Sequence, residues 1–476
     1  MQDFSDRRKA FVDAFFGTSD LVVREIATDS APMTLFFLDA MTDSEQVDLS
    51  VLRPLTERGK EVDYEEIKSV VSSGCSIKEC DLSEAVQAVG AGDAALLTAK
   101  NESFIVFGVR KGNVRAIAEP PTGLVVKGPR EGFVEDLKTN MVLLRRRIRS
   151  NKLVFSTLKI GRFSETTIAV AYVQGVAKPD LVDKIRSRLS AVDVDGVVDS
   201  SAVEKLLEER PYSLFNQLGN TEKPDVAAAK LLDGRVAVFV DGSPIAITAP
   251  FLLIEDVQVV QDAYNRNARA TFLRVVRVFA LFFALVLPSS YVAVQTHQYQ
   301  ILPLQLLVTV LNASAGIPFT PTLEMLIALI FFEILGEASV RTPRHIGMAL
   351  SVVGAIVLGE TAVKAGLLSS VTVLVVAISG IGIYTIPDEA GVLSVLRFLL
   401  VVVGGLFGIY GILLFSLLVV AYLTSLDCYG VPYLSPYAPI EAESLRRSVV
   451  MHNLTDVRRR TPALRLENKT KFARRT

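Results

Sequence analysis

Cysteine and histidine are scarce in this sequence, and their scarcity limits the chemistry it can carry. Three cysteines (Cys75, Cys80 and Cys428) are too few for a disulfide framework, and Cys75 and Cys80 lack the second pair or nearby histidine of a zinc site. We interpret them as buried thiols. With only 3 histidines in 476 residues, no catalytic histidine constellation fits the charged first half of the chain. We expect neither enzyme activity nor a cofactor nor a metal site, and no nucleic-acid partner.

Charged residues are also scarce in one part of the sequence, and their distribution divides the chain into two regions. Between Val278 and Leu426 only ten side chains are charged: Glu324, Glu333, Glu337, Arg341, Arg344, Glu360, Lys364, Asp388, Glu389 and Arg397. Two runs inside this region, 365–387 and 398–426, carry no charge and reach the length of about 20 residues that crosses a bilayer core. The amino-terminal residues lack the apolar stretch of a secretory signal. We therefore predict a membrane protein whose large soluble region precedes its spans and stays on the side of synthesis.

The soluble region has the pattern of a repeated α/β unit. Strand-like stretches alternate with helix-like ones, and two strand pairs, AALLTA with SFIVFGV and RVAVFV with SPIAIT, are each joined by a short polar turn. We predict an α/β soluble amino-terminal region of two related subdomains, followed by an α-helical transmembrane bundle. The expected divisions are 1–118 for the first subdomain, 119–265 for a linker helix and the second subdomain, 266–430 for the transmembrane helices and 431–476 for a basic cytoplasmic tail.

The string EPPTGLVVKGPREGFVEDLKTNMVLLRRRIRSNK, residues 119–152, separates the two subdomains. Its apolar residues recur at spacings of three and four, which predicts one amphipathic helix: Phe133, Leu137, Met141, Leu144 and Ile148. Four arginines crowd the end of this helix: Arg145, Arg146, Arg147 and Arg149. They complement the helix dipole and are typical of a solvated basic end. A phosphate-binding loop at Gly128 is the alternative, but no Lys-Ser/Thr follows it. We expect the arginines to contact lipid or a neighbouring subunit rather than to support folding.

Basic residues also fix the expected topology. Arg266, Arg269, Arg274 and Arg277 precede the first apolar run, and after Ser444 ten Lys or Arg outnumber Asp456 and Glu467. Both flanks are therefore expected in the cytoplasm, and the number of spans is expected to be even. Residues 303–337 are interrupted by glycine and proline, which favours a re-entrant hairpin. We predict four spans at 278–295, 346–363, 367–386 and 398–425, with six spans as the alternative.

Carboxylates inside an apolar region are candidates for an ion pathway, because burying them is costly. Glu324 and Glu333 lie on the expected hairpin; pairing of its glutamates with Arg341 or Arg344 is the structural alternative. Glu360 follows a glycine-rich helix and would form an acidic ring if several copies surrounded an axis, with Val357 and Val363 as apolar constrictions. A salt bridge to Lys364 is the structural alternative for Glu360.

The residues 119–152 resemble the hallmark of the GerA family of bacterial spore germinant receptor A subunits. The resemblance continues through GIPFTPTLEMLIALIFFEILGEASVRTPRHIG, SVVGAIVLGETAVKAGLLS, TIPDEAG and YGVPYLSPYAPI, so it covers nearly the whole chain in the same order. In that family, A subunits assemble into an oligomer with an ion-conducting pore. A transporter-like B-type subunit receives the nutrient, and a C-type lipoprotein completes the receptor.

The resemblance implies a subunit of a spore germination receptor, a nutrient-gated cation channel in the inner spore membrane. Two other classes stay open from the residues alone. The broken hairpin at 316–321 would suit a secondary transporter, and a non-conducting membrane scaffold would need no ion pathway. The channel hypothesis predicts a homo-oligomer in the lipid bilayer, with both ends of the chain in the cytoplasm.

Overall fold

The structure is a computed structural model and describes residues 2–26, 32–39, 41–58, 67, 71, 76–110, 128–342, 347, 352–354, 356–452, 460–464 and 466–471. Cys75, the first part of the hallmark string up to residue 127, and residues 346, 348–351 and 355 of the predicted span 346–363 lie outside these residues. The description that follows applies to the described part of the chain.

The first sheet has five antiparallel strands among the described residues, in the spatial order β1-β2-β4-β5-β3. Helices cover both faces. The elements are α1 (Gln2–Asp13), β1 (Leu21–Ile26), β2 (Met33–Leu38), α2 (Ser44–Val47), α3 (Arg53–Arg58), β3 (Ile77–Cys80), α4 (Leu82–Gly90), β4 (Ala94–Thr98) and β5 (Phe104–Phe107). On β2, Met33, Leu35 and Phe37 pack on one face while Phe36 and Leu38 pack on the other. This alternation follows from the two-residue period of a strand.

The second sheet repeats the topology of the first. Its order, β6-β7-β9-β10-β8, is the same order counted five strands later, again antiparallel among the described strands. The elements are α5 (Leu137–Arg147), β6 (Leu153–Ile160), β7 (Thr166–Val173), α6 (Pro179–Ser190), α7 (Ser200–Leu207), β8 (Gly219–Thr221), α8 (Pro224–Leu232), β9 (Val236–Val240), β10 (Ala246–Ala249) and α9 (Ile254–Val257). An identical strand order is what two related subdomains would have.

Helix α5 connects the two sheets through a buried ion pair. Arg145 is fully buried, and its guanidinium donates to the Asp20 carboxylate just before β1 at 2.6 and 2.8 Å. It also stacks over Phe155 of β6 at 5.1 Å. The expected surface position is therefore wrong for Arg145. The physical reason is its spacing, because Arg145 follows Met141 by four residues and falls on the apolar stripe of the helix.

Apart from two short paired strands, β11 (Asp427–Cys428) and β12 (Val431–Pro432), the elements described after residue 266 are helical. The helical elements are α10 (Asn267–Thr296), α11 (Leu304–Ser314), α12 (Pro321–Arg341), a π-helical turn (Val357–Thr361), α13 (Ala362–Lys364), α14 (Ser370–Ile383), α15 (Ala390–Ser425) and α16 (Ala442–Val449). Within the described residues, two helical stretches, Asn267–Thr296 and Pro387–Ser425, are long and apolar enough to cross a membrane. The predicted re-entrant hairpin, residues 303–337, contains two helices of unequal length. Helix α11 has 11 residues, which is short for a span, whereas α12 is a single helix of 21 residues.

Helix α15 folds back on itself at Gly408. This residue has φ 65° and ψ −154°, a conformation open essentially to glycine. Leu396 and Leu423 pack in one cluster, although 27 residues of straight helix would separate them by about 40 Å. The predicted single span 398–425 is therefore wrong. The chain forms two antiparallel helical arms, and the first begins at Ala390.

The carboxyl-terminal segment packs against the rest of the chain instead of extending away from it. The backbone N–H of Met451 donates to Thr271 on α10, and Arg274 of α10 donates to the Ser448 carbonyl oxygen. Farther along, Leu466 packs against Gly234, and Lys471 pairs with Asp233 at 2.6 Å. The described part of the predicted basic tail thus joins the second subdomain and the start of α10.

Replacing Arg145 with Gln should lower the free energy of unfolding of the soluble region by about 3–5 kcal/mol, because Asp20 would remain buried without its partner. Arg149→Gln is the matched control. Arg149 is exposed on the same helix end, so its loss should change stability by about 0.5 kcal/mol or less. Urea unfolding of the full chain in detergent, followed by hydrogen exchange in β1 and β6, measures both. Equal stability of the two variants would contradict the structural role of Arg145.

Gly408→Ala should destabilise the helical region by about 1–3 kcal/mol, because an L-residue is strained in this conformation. A Cβ there would also lie 2.6 Å from Nε2 of Gln298. Gly391→Ala is the control on the same helix, since its Cβ would meet nothing within 4 Å. It should be neutral or stabilise by up to about 1 kcal/mol. Thermal unfolding in detergent compares the two, and a tolerated Gly408→Ala would argue for an unbroken helix.

Candidate functional site

A buried polar network joins four helices in the apolar region, and Arg397 lies at its centre. The guanidinium of Arg397, fully buried on the first arm of α15, donates to Glu333 Oε1 of α12 at 2.6 Å and to Ser379 Oγ of α14 at 2.9 Å. Ser379 in turn donates to the carbonyl oxygen of Ala284 on α10 at 2.7 Å. Ser394 Oγ donates to the same oxygen of Glu333 at 2.6 Å.

Small residues allow these helices to approach closely enough for the network to form. A Cβ on Gly380 would overlap the ring of Phe332, and one on Gly382 would lie 2.6 Å from the Ala280 carbonyl oxygen. Phe332 also lies under the Arg397 guanidinium, 5.8 Å from it. Close backbone approach through glycine is the usual packing of apolar helices. The glycines of α14 therefore have a packing role that sequence reasoning had assigned only to the 346–363 helix.

Glu324 stabilises the start of α14. Its side chain is buried and accepts a hydrogen bond from the Ser369 backbone N–H at 2.7 Å. Ser369 is the N-cap residue of α14, and its hydroxyl accepts from the Thr372 N–H at 3.1 Å. A carboxylate at a helix N-terminus satisfies an orphan donor and complements the dipole. As an ion-pathway candidate Glu324 remains a prediction, but its contacts in one copy of the chain are those of a cap.

The other acidic candidates differ in their partners. Glu333 pairs with Arg397 instead of Arg341, whereas Glu337 pairs with Arg341 at 2.6 Å on the surface of α12. Glu360 pairs with Lys364 at 2.5 Å, and its side chain is 59% exposed. The salt bridges considered as structural alternatives are thus present for Glu337, with Arg341, and for Glu360, with Lys364. The partner of Glu333, Arg397, was not predicted from the sequence.

The π-helical turn that carries Glu360 lies on the outside of the protomer. Val352, Val353, Ile356 and Val357 are all exposed, and a Cβ on Gly359 would meet nothing within 4 Å. Val363, about three turns after Val352, is half-buried. The described part of this helix therefore has an exposed apolar strip on the surface of a single copy of the chain. Glu360 and Lys364 are also exposed on this helix.

The arginines beyond Arg145 lie nearer the surface of the soluble region. Arg147 donates to Glu131 at 2.7 Å, Arg146 is half-buried, and Arg149 is exposed. Contact of Arg146, Arg147 and Arg149 with lipid or another subunit remains a prediction.

Arg397→Gln should destabilise the helical region by about 1–3 kcal/mol, since it removes both donors to Glu333 and Ser379 while the Glu333 side chain, 40% exposed, can be hydrated. Arg397→Lys should recover little of this loss, because one ammonium group does not reproduce the planar guanidinium fork. Arg341→Gln, which removes an exposed pair four residues apart, should cost about 0.5 kcal/mol or less. Thermal unfolding in detergent compares the three variants, and full rescue by Lys would indicate that only the charge matters.

Comparison with known proteins identifies the family. Residues 9–463 match the family described as Bacillus/Clostridium GerA spore germination protein. The chain is 34% identical over 436 residues to the uncharacterized membrane protein YfkQ of Bacillus subtilis (strain 168), covering 90% of this chain and 85% of that protein. It is 32% identical to spore germination protein KA of the same organism, covering 90% and 80% of the two chains. Spore germination protein GerLA of Bacillus cereus is 30% identical, with 90% and 89% covered.

One solved structure is also similar, the amino-terminal domain of the A subunit of the Bacillus megaterium spore germinant receptor GerK3. It is 25% identical, covers 52% of this chain and 95% of that one, and has a TM-score of 0.42. The family match spans almost the whole chain, including both sheets and the Arg397 network. The protein therefore belongs to the GerA family of spore germination proteins.

Proposed function

We propose that the chain is an A-type subunit of a nutrient-gated germination receptor and that several copies surround a cation-conducting pore in the inner spore membrane. The observation that supports this best is the exposure of Glu360 and Lys364 beside the apolar strip of residues 352–357. Charged side chains on a lipid-facing helix are costly, even near its end, where Glu360 and Lys364 lie. An aqueous lumen or a second copy of the chain removes this cost.

The proposed topology has six traverses of the membrane. They are α10, α12, the helix that includes residues 352–364, α14 and the two arms of α15. The support is geometric, because Asp388 and Ser425, at the two ends of α15, both contact the 210–216 loop of the soluble region. The Gly408 turn lies beside Gln298, beyond the far end of α10. Six traverses leave both ends of the chain on the cytoplasmic side, as four would.

The polar network fits a rigid role within each copy. Arg397, Glu333 and Ser379 contact one another among four helices, so they hold the bundle that supports the pore helix. We assign nutrient binding to a separate transporter-like B-type subunit and expect a C-type lipoprotein in the complex, following the family. The divisions of the chain at 118, 265 and 430 remain part of this proposal.

Conduction by the reconstituted protein tests the proposal. Glu360→Gln should weaken cation preference without preventing assembly, because the proposed ring loses its charge. Val363→Ala should raise basal ion leak, because it widens an apolar constriction. Glu337→Gln is the matched control, since Glu337 also forms an exposed pair with a cation four residues on. Liposome flux and reversal potentials measure all three, with cross-linking to follow assembly.

Unchanged conductance and selectivity in both pore variants would exclude this helix as the pore lining. The assignment would then move to α12, which carries Glu324 and Glu333. A protein that assembles but conducts no ions in any form would instead favour the scaffold.

A further inference from the structure

The soluble region meets the helical region at one compact contact, which we call the junction. Its apolar core combines both regions: Phe215, Phe251, Leu396, Leu423, Leu426, Cys428 and Tyr433. Hydrogen bonds also cross it. Arg210 donates to the Ser425 carbonyl oxygen at 2.7 Å, Asn216 donates to that of Asp388 at 3.3 Å, and the Leu253 N–H donates to that of Tyr433 at 3.2 Å. The junction thus contacts both ends of α15.

Several buried polar atoms at the junction have no hydrogen-bond partner among the described residues. Both carboxylate oxygens of Glu389, a residue only 3% exposed, are in this state, together with Oδ2 of Asp256 and the hydroxyl of the fully buried Tyr433. The neighbouring Glu255 is different, because it pairs with Lys230 at 3.0 Å and with Arg235 at 2.9 Å. Among the described residues, the cations at this site thus form salt bridges with Glu255 and with neither Asp256 nor Glu389.

The electrostatic surroundings favour the neutral form of Asp256. Burial raises the pKa of this carboxyl to about 9, and the nearby charges of Glu389, Glu255 and Asp388 add to the effect, with Lys230 opposing it. Burial also raises the pKa of Tyr433, and the charges of Glu389 and Asp256 raise it further. Its hydroxyl therefore keeps its proton. Within the described residues, no group of three or more His, Cys, Asp or Glu could hold a metal ion.

We propose that Asp256 and Glu389 form a proton-binding site, the junction latch, which holds the soluble region against α15 while the two carboxyls are protonated. Asp256 lies on α9 in the soluble region, and Glu389 lies immediately before α15. A proton on each removes a charge that would otherwise be buried without a partner. When a proton leaves, the remaining charge is hydrated only if α9 and α15 separate. The latch would thus couple the proton concentration on the soluble side to the position of both arms of α15.

The direction of the pH dependence follows from linkage. In the closed junction the Asp256 carboxyl has its raised pKa, whereas in an open, hydrated junction it has the ordinary carboxyl value near 4. Opening therefore releases a proton at neutral pH. For Asp256, rising pH should favour opening by about tenfold per pH unit, from the ordinary carboxyl pKa up to about 9, and no further above it. A proton released from Glu389 adds a further factor of about ten per unit over the range in which Glu389 is protonated only in the closed junction.

Cys428 provides a native reporter of this opening. Its thiol is buried in the core of the junction, while Cys80 is buried on β3 in the first sheet, outside the junction. Alkylation of the full chain in lipid nanodiscs, quantified for each cysteine peptide by mass spectrometry, gives the rate at Cys428 relative to Cys80. Taking this ratio, and comparing variants with the wild type, removes the shared dependence of thiol reactivity on pH.

In the wild type, the relative rate at Cys428 should rise by about tenfold to a hundredfold per unit between pH 6 and 8, for one or two protons released on opening. Asp256→Asn and Glu389→Gln should each lower this slope, because each removes one of the two titrating carboxyls. The matched control is Asp262→Asn at the start of α10, where Asp262 pairs with Arg274 at 2.8 Å and with Arg277 at 2.9 Å. The Asp262→Asn variant loses the ion pairs with Arg274 and Arg277 but keeps both latch carboxyls. It should therefore accelerate Cys428 labelling by a similar factor at every pH and leave the slope unchanged.

A flat wild-type profile, or an unchanged slope in both latch variants, would overturn the proposal. If one latch variant fails to fold, the other still tests the pair, and hydrogen exchange of α9 provides a second readout of the same opening. Labelling should not respond to Na⁺, K⁺ or Ca²⁺ at constant ionic strength; a specific response would assign the carboxyls to a metal cation instead. The assay requires no ion flux, so its outcome is separate from that of the conduction experiment.

Discussion

The pairing of Arg397 with Glu333 is the interaction on which the helical half of the protein depends. A guanidinium on an apolar helix has to find a carboxylate and further acceptors, because an unpaired buried charge would cost more than most packing contacts return. Glu333 and Ser379 meet that need from two helices, and Ser379 extends the contact to a third through the Ala284 carbonyl oxygen. The position of four helices relative to one another therefore follows from one side chain. The soluble half has a counterpart in Arg145, which fixes both sheets through Asp20.

The turn at Gly408 determines how the two halves meet. If α15 were straight, only one of its ends could reach the soluble region. Because it folds back, Asp388 and Ser425 both contact the loop between Arg210 and Asn216, and the tip of the hairpin lies beside Gln298. A displacement of this loop would act on both arms of α15 together. Helix α10 is attached separately, by Asp262 and by the carboxyl-terminal segment, so three helical segments respond to one domain.

Sequence patterns located the two sheets because their strands include short apolar runs bounded by polar turns. In β9, for example, Val236, Val238 and Val240 pack on one face and Ala237 and Phe239 on the other. The sequence patterns did not distinguish the buried Arg145 from the exposed Arg149, because a run of arginines at a helix end predicts the same exposed position for each of them. Helical spacing contains the missing signal. Arg145 lies four residues after Met141, and Arg397 lies four before Val401, so each falls on the buried stripe of its helix. Gly408 gave no such signal, since glycines recur nearby and only its φ distinguishes it.

Paired and unpartnered charges have different consequences for motion. Arg145 and Arg397 are bound by carboxylates and hydroxyls, so separating either from its partners would leave a buried charge exposed to an apolar surrounding, and those regions resist rearrangement. Asp256 and Glu389 have the opposite property, because Oδ2 of Asp256 and both carboxylate oxygens of Glu389 are buried without a hydrogen-bond partner among the described residues. Opening the junction supplies water to these groups and recovers part of their solvation free energy. The proposed latch thus places movement at the boundary between the soluble region and the helical region, where it requires no change inside either half.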